Sequence, residues 1–345
     1  MKIISIVGAR PQFIKLAPLS KELRKDLDEI IIHTGQHFDR EMSKLFFQQL
    51  NIPKPDYNLG ISGGTNAYQV GKMLMDLDKK IRKISPDVIV IFGDTNSTLA
   101  SALAGSKLNI PLIHIEAGLR SFNQSMPEEI NRIITDHCSD YLFAPTKAAI
   151  TNLKNENLKH RSYLTGDIMV DSIKASLDMI ELNHNNNDNY NLLTLHRPYN
   201  VDNPSKLNNI LRDLNDLNQK IIFPIHPRTK KIIDLHNISI GSNIEFIKPQ
   251  GYLDFIKLQY NAKKIITDSG GIQKEAYLLG VPCITLRTET EWIETLDSGW
   301  NLLVSPDNLK KNKNEIINFL PTKKQTNLFG KNVAKGMVKI IKEII

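Results

Sequence analysis

Short, continuous apolar runs alternate along this chain with longer stretches whose apolar residues recur every three or four positions. "KIISIV", "EIIIH", "DVIVIF", "PLIHI" and "YLFA" are of the first kind, rich in β-branched and aliphatic residues. "FIKLAPLSKELRK", "REMSKLFFQQL", "AYQVGKMLMDLDKKIRKI", "STLASALAGSKL" and "PEEINRIITDHC" are of the second. An unbroken apolar run marks a strand buried on both faces, and the longer period marks an amphipathic helix. Their alternation predicts parallel, doubly wound sheets covered by helices.

"SYLTGDIMVDSIKASL" reads as a last strand and a connecting helix, and the polar, Asn-rich "ELNHNNNDNYN" after it has linker composition. A second alternating series follows: "NLLTLHRP", "PSKLNNILRDLNDL", "QKIIFPIHP", "NIEFIKP", "YLDFIKLQYNA", "KKIITDSGG", "IQKEAYLLG" and "VPCITLR". The pattern therefore predicts an α/β protein of two Rossmann-like domains, residues 1–170 and 171–345, joined near 166–190. The last helix is expected to pack back on the first domain. A chain of 345 residues is long for one core and suits two.

Composition adds little to this picture. Hydrophobic residues make up 41% and charged residues 23%, as in a soluble globular protein. No apolar run approaches the ~18 residues of a membrane span, and "MKIISIVGARPQF" reads as strand and turn rather than a signal peptide. The expectation is a cytoplasmic protein with no membrane partner. Cys138 and Cys283 stand in unrelated contexts, with no disulfide framework or CxxC metal site. The net charge of +7 admits an anionic partner. The lysines are dispersed, without a basic stripe interleaved by aromatics, which argues against nucleic acid.

Ligands of doubly wound sheets bind beyond the carboxyl ends of the strands, and polar clusters gather at those places. In "GARPQFIK", Gly8 permits a tight turn, Arg10 can grip phosphate, and Lys15 follows one to two turns into the helix. Asp94 in "GDTNST" and Glu116 in "HIEAG" each follow an apolar strand, and Glu128 and Glu129 open a helix after Pro127. Singly, Glu128 would complement the helix dipole. Together the acids could bind a metal, but the spacing of a closed metal site is absent and acid–base work is preferred. His196 and His226 end strands of the second half, where a lone histidine is usually structural.

Neither GxGxxG nor GxxxxGK[ST] occurs, so a nicotinamide cofactor and a P-loop nucleotide lose their support. In "TDSGGIQKEA", Asp268 and Ser269 can cap the helix, while Gly270 and Gly271 let a phosphate approach the amides. Glu275, further along, could reach a ribose diol. A nucleoside diphosphate fits this stretch better than free phosphate.

Together, "GARPQFIK", "HTGQHFD", "GDTNSTLA", "HIEAGLRSFN", "MPEEINR", "TLHRPYNVDNP" and "TDSGGIQKEA" resemble the non-hydrolysing UDP-N-acetylglucosamine 2-epimerases, in order, from the first strand to near residue 300. The resemblance implies a glycosyltransferase-B type fold with a UDP-sugar in the interdomain cleft. It also implies a cytoplasmic homodimer that makes UDP-N-acetylmannosamine for envelope polysaccharides; the missing fingerprints and metal-site spacing lead to the expectation of no cofactor and no metal. It puts Arg10, Lys15, His196, Ser269, Gly270, Gly271 and Glu275 around the UDP and Gln250 and Phe255 at the uracil. Asp94, Glu116 and Glu128 fall at the sugar ring as the acid–base set, with His196 beside the pyrophosphate. Gln36 and His37 lie in the loop matching an allosteric substrate site of some bacterial members.

Three departures stand out. Ala9-Arg10-Pro11-Gln12 replaces the family's Thr-Arg-Pro-Glu. Thr290-Glu291-Trp292 replaces Thr-Glu-Arg, with Arg287 as a substitute cation. "LHRPYNVD" replaces Gly-His-Arg-Arg-Glu. These variants also resemble the sister enzymes that epimerise UDP-2,3-diacetamido-2,3-dideoxy-glucuronate. Other readings are a UDP-sugar glycosyltransferase, which needs an acceptor groove, a hydrolysing epimerase and a sugar-nucleotide sensor. Retention of all three carboxylates disfavours the sensor.

Overall fold

The computed structural model describes residues 1–36, 46–180 and 189–345. It divides into two compact units, one of Met1–Ala175 with Asn327–Ile345 and the other of Ser176–Thr326. Each is a doubly wound, Rossmann-like parallel sheet with helices between its strands, the α/β architecture that the sequence pattern predicts.

Among its described residues unit 1 has seven strands: β1 (Lys2–Val7), β2 (Asp28–His33), β3 (Tyr57–Asn58), β4 (Val88–Phe92), β5 (Leu112–Ile115), β6 (Tyr141–Ala144) and β7 (Ser162–Leu164). Their order is β3-β2-β1-β4-β5-β6-β7, with every pairing parallel. All five residues of β4 and all four of β5 are buried, which is why these strands read as unbroken apolar runs rather than alternating ones. Three of the helices between them begin at threonine side-chain caps, whereas Arg10–Leu23 and Pro127–Cys138 start without one. Thr65, Thr95 and Thr146 accept from the amides of Tyr68, Thr98 and Ala149. Ser85 and Asn109 end two helices in the left-handed conformation.

The helix Val333–Ile344 belongs to this unit and packs on the helix Arg10–Leu23. It buries Val333, Ala334, Met337, Val338 and Ile341, a spacing that makes one apolar face. Its entry is tied down by Phe329 O, which accepts from Asp167 N at 2.8 Å, and by Asp171 Oδ2, which accepts from Ala334 N at 2.6 Å.

Among its described residues unit 2 has six strands: β8 (Asn191–Thr194), β9 (Ile221–Pro224), β10 (Ile244–Ile247), β11 (Lys264–Thr267), β12 (Cys283–Thr285) and β13 (Asn301–Leu303). Their order is β10-β9-β8-β11-β12-β13, again all parallel. Its core joins Leu193, Ile266 and Ile284 of the central strands to Leu207, Leu211 and Leu214 of the helix Pro204–Asn215. Parts of two predicted segments, 40–45 and 181–188, lie outside the described residues.

Candidate active site

In unit 1 the turns after the neighbouring strands β4 and β5 carry Asp94 and Glu116. Glu116 has a φ of +75°, an unusual conformation for a residue with a side chain. Phe143 O of β6 holds it there, accepting from both Glu116 N and Ala117 N at 3.1 Å. The Glu116 carboxylate pairs with Lys15 Nζ. Gly93, with a φ of +64°, leaves room for that pair: a Cβ there would lie 3.3 Å from both Glu116 Oε2 and Lys15 Nζ. Lys15, expected at the UDP, is thus brought into the carboxylate group.

Arg132 Nη1 lies 2.6 Å from Asp94 Oδ2, and Arg132 Nη2 lies 2.7 Å from Glu129 Oε2. Glu128, Asn131 and Arg132 share a face of the helix Pro127–Cys138 through i,i+3 and i,i+4 spacing. Asn131 Nδ2 donates to Asp94 O at 2.9 Å, so this face grips the Asp94 turn by backbone and side chain. Glu129 turns away, accepting from Ser121 N and Phe122 N at 2.9 Å. Burial alone would raise the Glu129 pKa, but the Ser121 amide and Arg132 bring it below the ordinary value.

Asp94 goes the other way. Desolvation raises its pKa; Arg132 and Lys15 pull it down, and the Glu116 and Glu128 charges push it up, for a net rise. Its side chain is still 34% exposed, so the raised carboxyl remains within reach of a ligand.

The loop after β1 is stapled to the same place. Gln12 Oε1 accepts from Gly8 N at 2.7 Å and Ala9 N at 3.0 Å, while Gln12 Nε2 donates to Phe92 O at 2.9 Å and Thr98 Oγ1 at 3.0 Å. This explains one departure in chemical terms: an amide serves acceptors and donors at once. Arg10 lies over the Phe46 ring, 5.6 Å from its centroid. Gln36 Oε1 accepts from Ser97 N at 3.0 Å and Ser97 Oγ at 2.7 Å, and His37 lies outside the described residues.

In unit 2 the loops after β8 and β11 meet. Asp268 Oδ2 accepts from Arg197 N and Asn200 Nδ2, each at 3.1 Å, and Asp268 Oδ1 lies 3.0 Å from His196 Nδ1. Burial works against the Asp268 charge, yet His196 and these donors hold its pKa below the ordinary value. Asp268 therefore fixes His196 rather than capping the helix Gly270–Leu279. Ser269 occupies the N-cap position but makes no side-chain cap bond. Neither expected cap closes that helix start, and its partners lie elsewhere because β8 and β11 are adjacent in the sheet.

Glu291 reaches the same helix start. A Cβ on Gly270 would lie 2.1 Å from Glu291 Oε1, and Arg287 Nη1 donates to Glu291 Oε2 at 2.9 Å. Arg287, the substitute cation, is thus engaged by Glu291. Trp292 is buried, with Lys274 Nζ 4.0 Å from its ring centroid. Glu275 is buried in the same helix and accepts from Gln259 Nε2 at 2.7 Å. Burial raises its pKa to about 7, although Gln259 and Lys274 favour the charged form.

Gln250 is exposed and lines a cavity of about 510 Å³ with Tyr190, Lys220 and Lys257. None of Ser269, Gly270, Gly271 or Glu275 lines it. Phe255 is half-buried on the helix Tyr252–Asn261. His226 is an N-cap, its ring Nδ1 accepting from Arg228 N at 3.2 Å, so it takes the structural role usual for a strand-end histidine. The sequence reading missed Arg132, although it stands four residues after Glu128 in a stretch already singled out.

The family described as UDP-N-acetylglucosamine 2-epimerase matches residues 21–343. A Methanococcus maripaludis protein named a UDP-N-acetylglucosamine 2-epimerase homolog is 50% identical over the full length of both chains. A UDP-2,3-diacetamido-2,3-dideoxy-D-glucuronate 2-epimerase of Pseudomonas aeruginosa is 48% identical over 88% of each. The crystal structure of the Methanocaldococcus jannaschii UDP-GlcNAc 2-epimerase in complex with UDP-GlcNAc and UDP has a TM-score of 0.91 at 45% identity, covering 99% of this chain and 100% of that one.

Proposed function

The chain belongs to the UDP-N-acetylglucosamine 2-epimerase family, and from that premise we propose that it interconverts UDP-N-acetylglucosamine and UDP-N-acetylmannosamine for envelope polysaccharide synthesis. The C2 proton of such a sugar has no adjacent carbonyl and is not acidic enough for direct removal. Elimination avoids the difficulty. The C1–O bond breaks with its electron pair leaving on UDP, C1 gains oxocarbenium character, and a base takes the C2 proton. The product is a 2-acetamidoglucal. Protonation of C2 on the opposite face and return of the UDP oxygen to C1 complete the inversion.

Unit 1 supplies the acid–base groups in this reading. Asp94 and Glu116 handle the C2 proton, and Glu128 supports them. The observation that carries the proposal is this pair of carboxylates on adjacent strand ends, each in contact with its own cation and each in the other's field. A carboxyl with a raised pKa can hold a proton as well as release one, which a reaction run in both directions requires. Arg132 orients Asp94, and Lys15 orients Glu116.

Unit 2 supplies the nucleotide anchorage. The amides at Ser269, Gly270 and Gly271 receive phosphate, and Glu275 receives the ribose diol. His196, held by Asp268, stabilises the departing pyrophosphate, with Arg10 of unit 1 as a further cation. Gln250 and Phe255 frame the uracil. The active species is a homodimer working in the cytoplasm, and Gln36 with His37 are the candidate residues of a regulatory substrate site.

The test is an NMR time course in D₂O with UDP-N-acetylglucosamine as sole substrate. The expected result is UDP-N-acetylmannosamine carrying deuterium at C2. Turnover of the diacetamido-glucuronate nucleotide alone would keep the chemistry and change the sugar. Inactivity with both would overturn the proposal.

A further inference from the structure

His114 lies in β5, two residues before Glu116, and no step above uses it. Its side chain is fully buried. Nε2 stands 2.7 Å from Gly93 O, which can only accept, so the ring donates to it. Gly93 directly precedes Asp94, and Gly93 N donates to Ile115 O at 3.0 Å, directly before Glu116. On the other ring edge, Nδ1 stands 2.7 Å from Asp136 Oδ1.

Asp136, equally buried, continues the chain past the Glu116 turn. Its Oδ2 accepts from Gly118 N at 3.0 Å and lies 2.7 Å from Arg120 Nη2. Arg120 donates to both oxygens of Glu156 at 2.7 Å and to Leu119 O at 2.7 Å. Burial opposes the Asp136 charge, but His114 and Arg120 keep its pKa below the ordinary value. The contacts thus grip the residue before Asp94 and the turn that follows Glu116. Buried ion clusters are often no more stabilising than apolar residues of similar volume.

We propose that buried His114, donating to Gly93 O, positions Asp94, while Asp136, anchored by Arg120 and Glu156, holds the turn that follows Glu116. The proposal rests on the epimerase reading. His114 is a positioning residue, since it touches no reacting atom.

Two substitutions separate positioning from bulk stability. The amide of Gln in His114→Gln can take the place of Nε2 and still donate to Gly93 O. The shorter Asn in His114→Asn can meet Asp136 but not Gly93. His114→Asn should lower kcat about 10²-fold, the scale of a small misplacement, with KM and UDP affinity within about twofold. His114→Gln should retain most of kcat. In an Asp94→Asn background, His114→Asn should cost little more. Equal loss in both variants, loss tracking UDP affinity, or full additivity with Asp94→Asn would overturn the proposal. A crystal structure of His114→Asn decides the geometry independently of activity. Displacement of Gly93 and Asp94 supports the proposal and an unmoved turn overturns it, even if the wild-type protein proves inactive as an epimerase.

Discussion

At the carboxyl edge of unit 1 the proposed acid–base carboxylates already have cations in contact, Asp94 with Arg132 and Glu116 with Lys15, and a buried ionic chain lies beneath them. At the carboxyl edge of unit 2, a helix starts without a side-chain cap, its serine makes no cap bond, and one buried carboxyl sits with its pKa raised to about 7. Both edges end parallel sheets and both hold ion pairs, yet the first pairs each proposed acid–base carboxylate with a cation, while the second has a helix start with no side-chain cap hydrogen bond. Proton transfer at carbon tolerates little error in geometry, which favours groups locked by their neighbours. Holding a diphosphate needs donors whose best acceptor is the ligand itself. The two edges differ because positioning and binding make different demands on charge.

The largest effect is expected at Asp94 and Glu116. Asp94→Asn or Glu116→Gln should lower kcat by about 10²–10⁴, the usual worth of general acid–base catalysis, with UDP affinity within a small factor. Calorimetry with UDP beside steady-state kinetics reads both. If UDP binding fell as far as turnover, Asp94 would belong to binding rather than chemistry.

Arg132 is next. Replacing it with Met strands the buried Glu129 and frees Asp94, and loss of one partner of a buried pair costs about 3–5 kcal/mol. Thermal unfolding should show a large drop, and UDP should still bind the folded fraction.

Glu275 tests the other edge through pH. Its folded pKa, about 7, lies above the ordinary glutamate value of 4.5. Its contribution to stability is therefore present below about pH 4.5 and is lost as pH rises to about 7. Glu275→Gln should remove a loss on the order of 2–3 kcal/mol across that window, seen in denaturant unfolding as a function of pH. Because ribose hydroxyls would donate to the ionised carboxylate, UDP affinity should rise with pH over the same window in the wild type and stay flat in the variant.

Ser269→Ala gives the smallest effect. Loss of an N-cap typically costs about 1 kcal/mol. Here the hydroxyl makes no cap bond, so stability should change by less than about 0.5 kcal/mol, while UDP affinity falls. A full capping penalty would show that this helix start is closed like the threonine-capped ones of unit 1.

Most of the fold was legible because buried parallel strands and amphipathic helices carry opposite periodicities. β3 and β13 escaped because two or three residues show no period. Lys264 begins a buried strand against its composition, and its ammonium is satisfied by Ile316 O at 2.8 Å, at the end of the helix Lys313–Asn318. Within the site, residue types were legible and partners were not. Asp268 looked like a local cap because its sequence neighbours open a helix, but it binds the amides of residues more than seventy positions earlier. Arg132 reaches Asp94 across 38 positions, and nothing in the apolar strand around His114 points to its partners. Periodicity describes a residue's environment, whereas such partnerships arise only when the sheet order brings distant loops together.

The return of Asn327–Ile345 to unit 1 has a consequence for synthesis on the ribosome. The first unit begins to emerge before the second but cannot finish until the whole of the second has followed. Until then the apolar surface that the helix Val333–Ile344 covers has no partner from its own chain. The nascent protein thus carries an incomplete core through the synthesis of about 150 residues, at 5–20 residues per second a wait on the order of ten seconds or more. A truncation that removes only these last residues should therefore act mainly on folding yield, through unit 1, while leaving unit 2 whole.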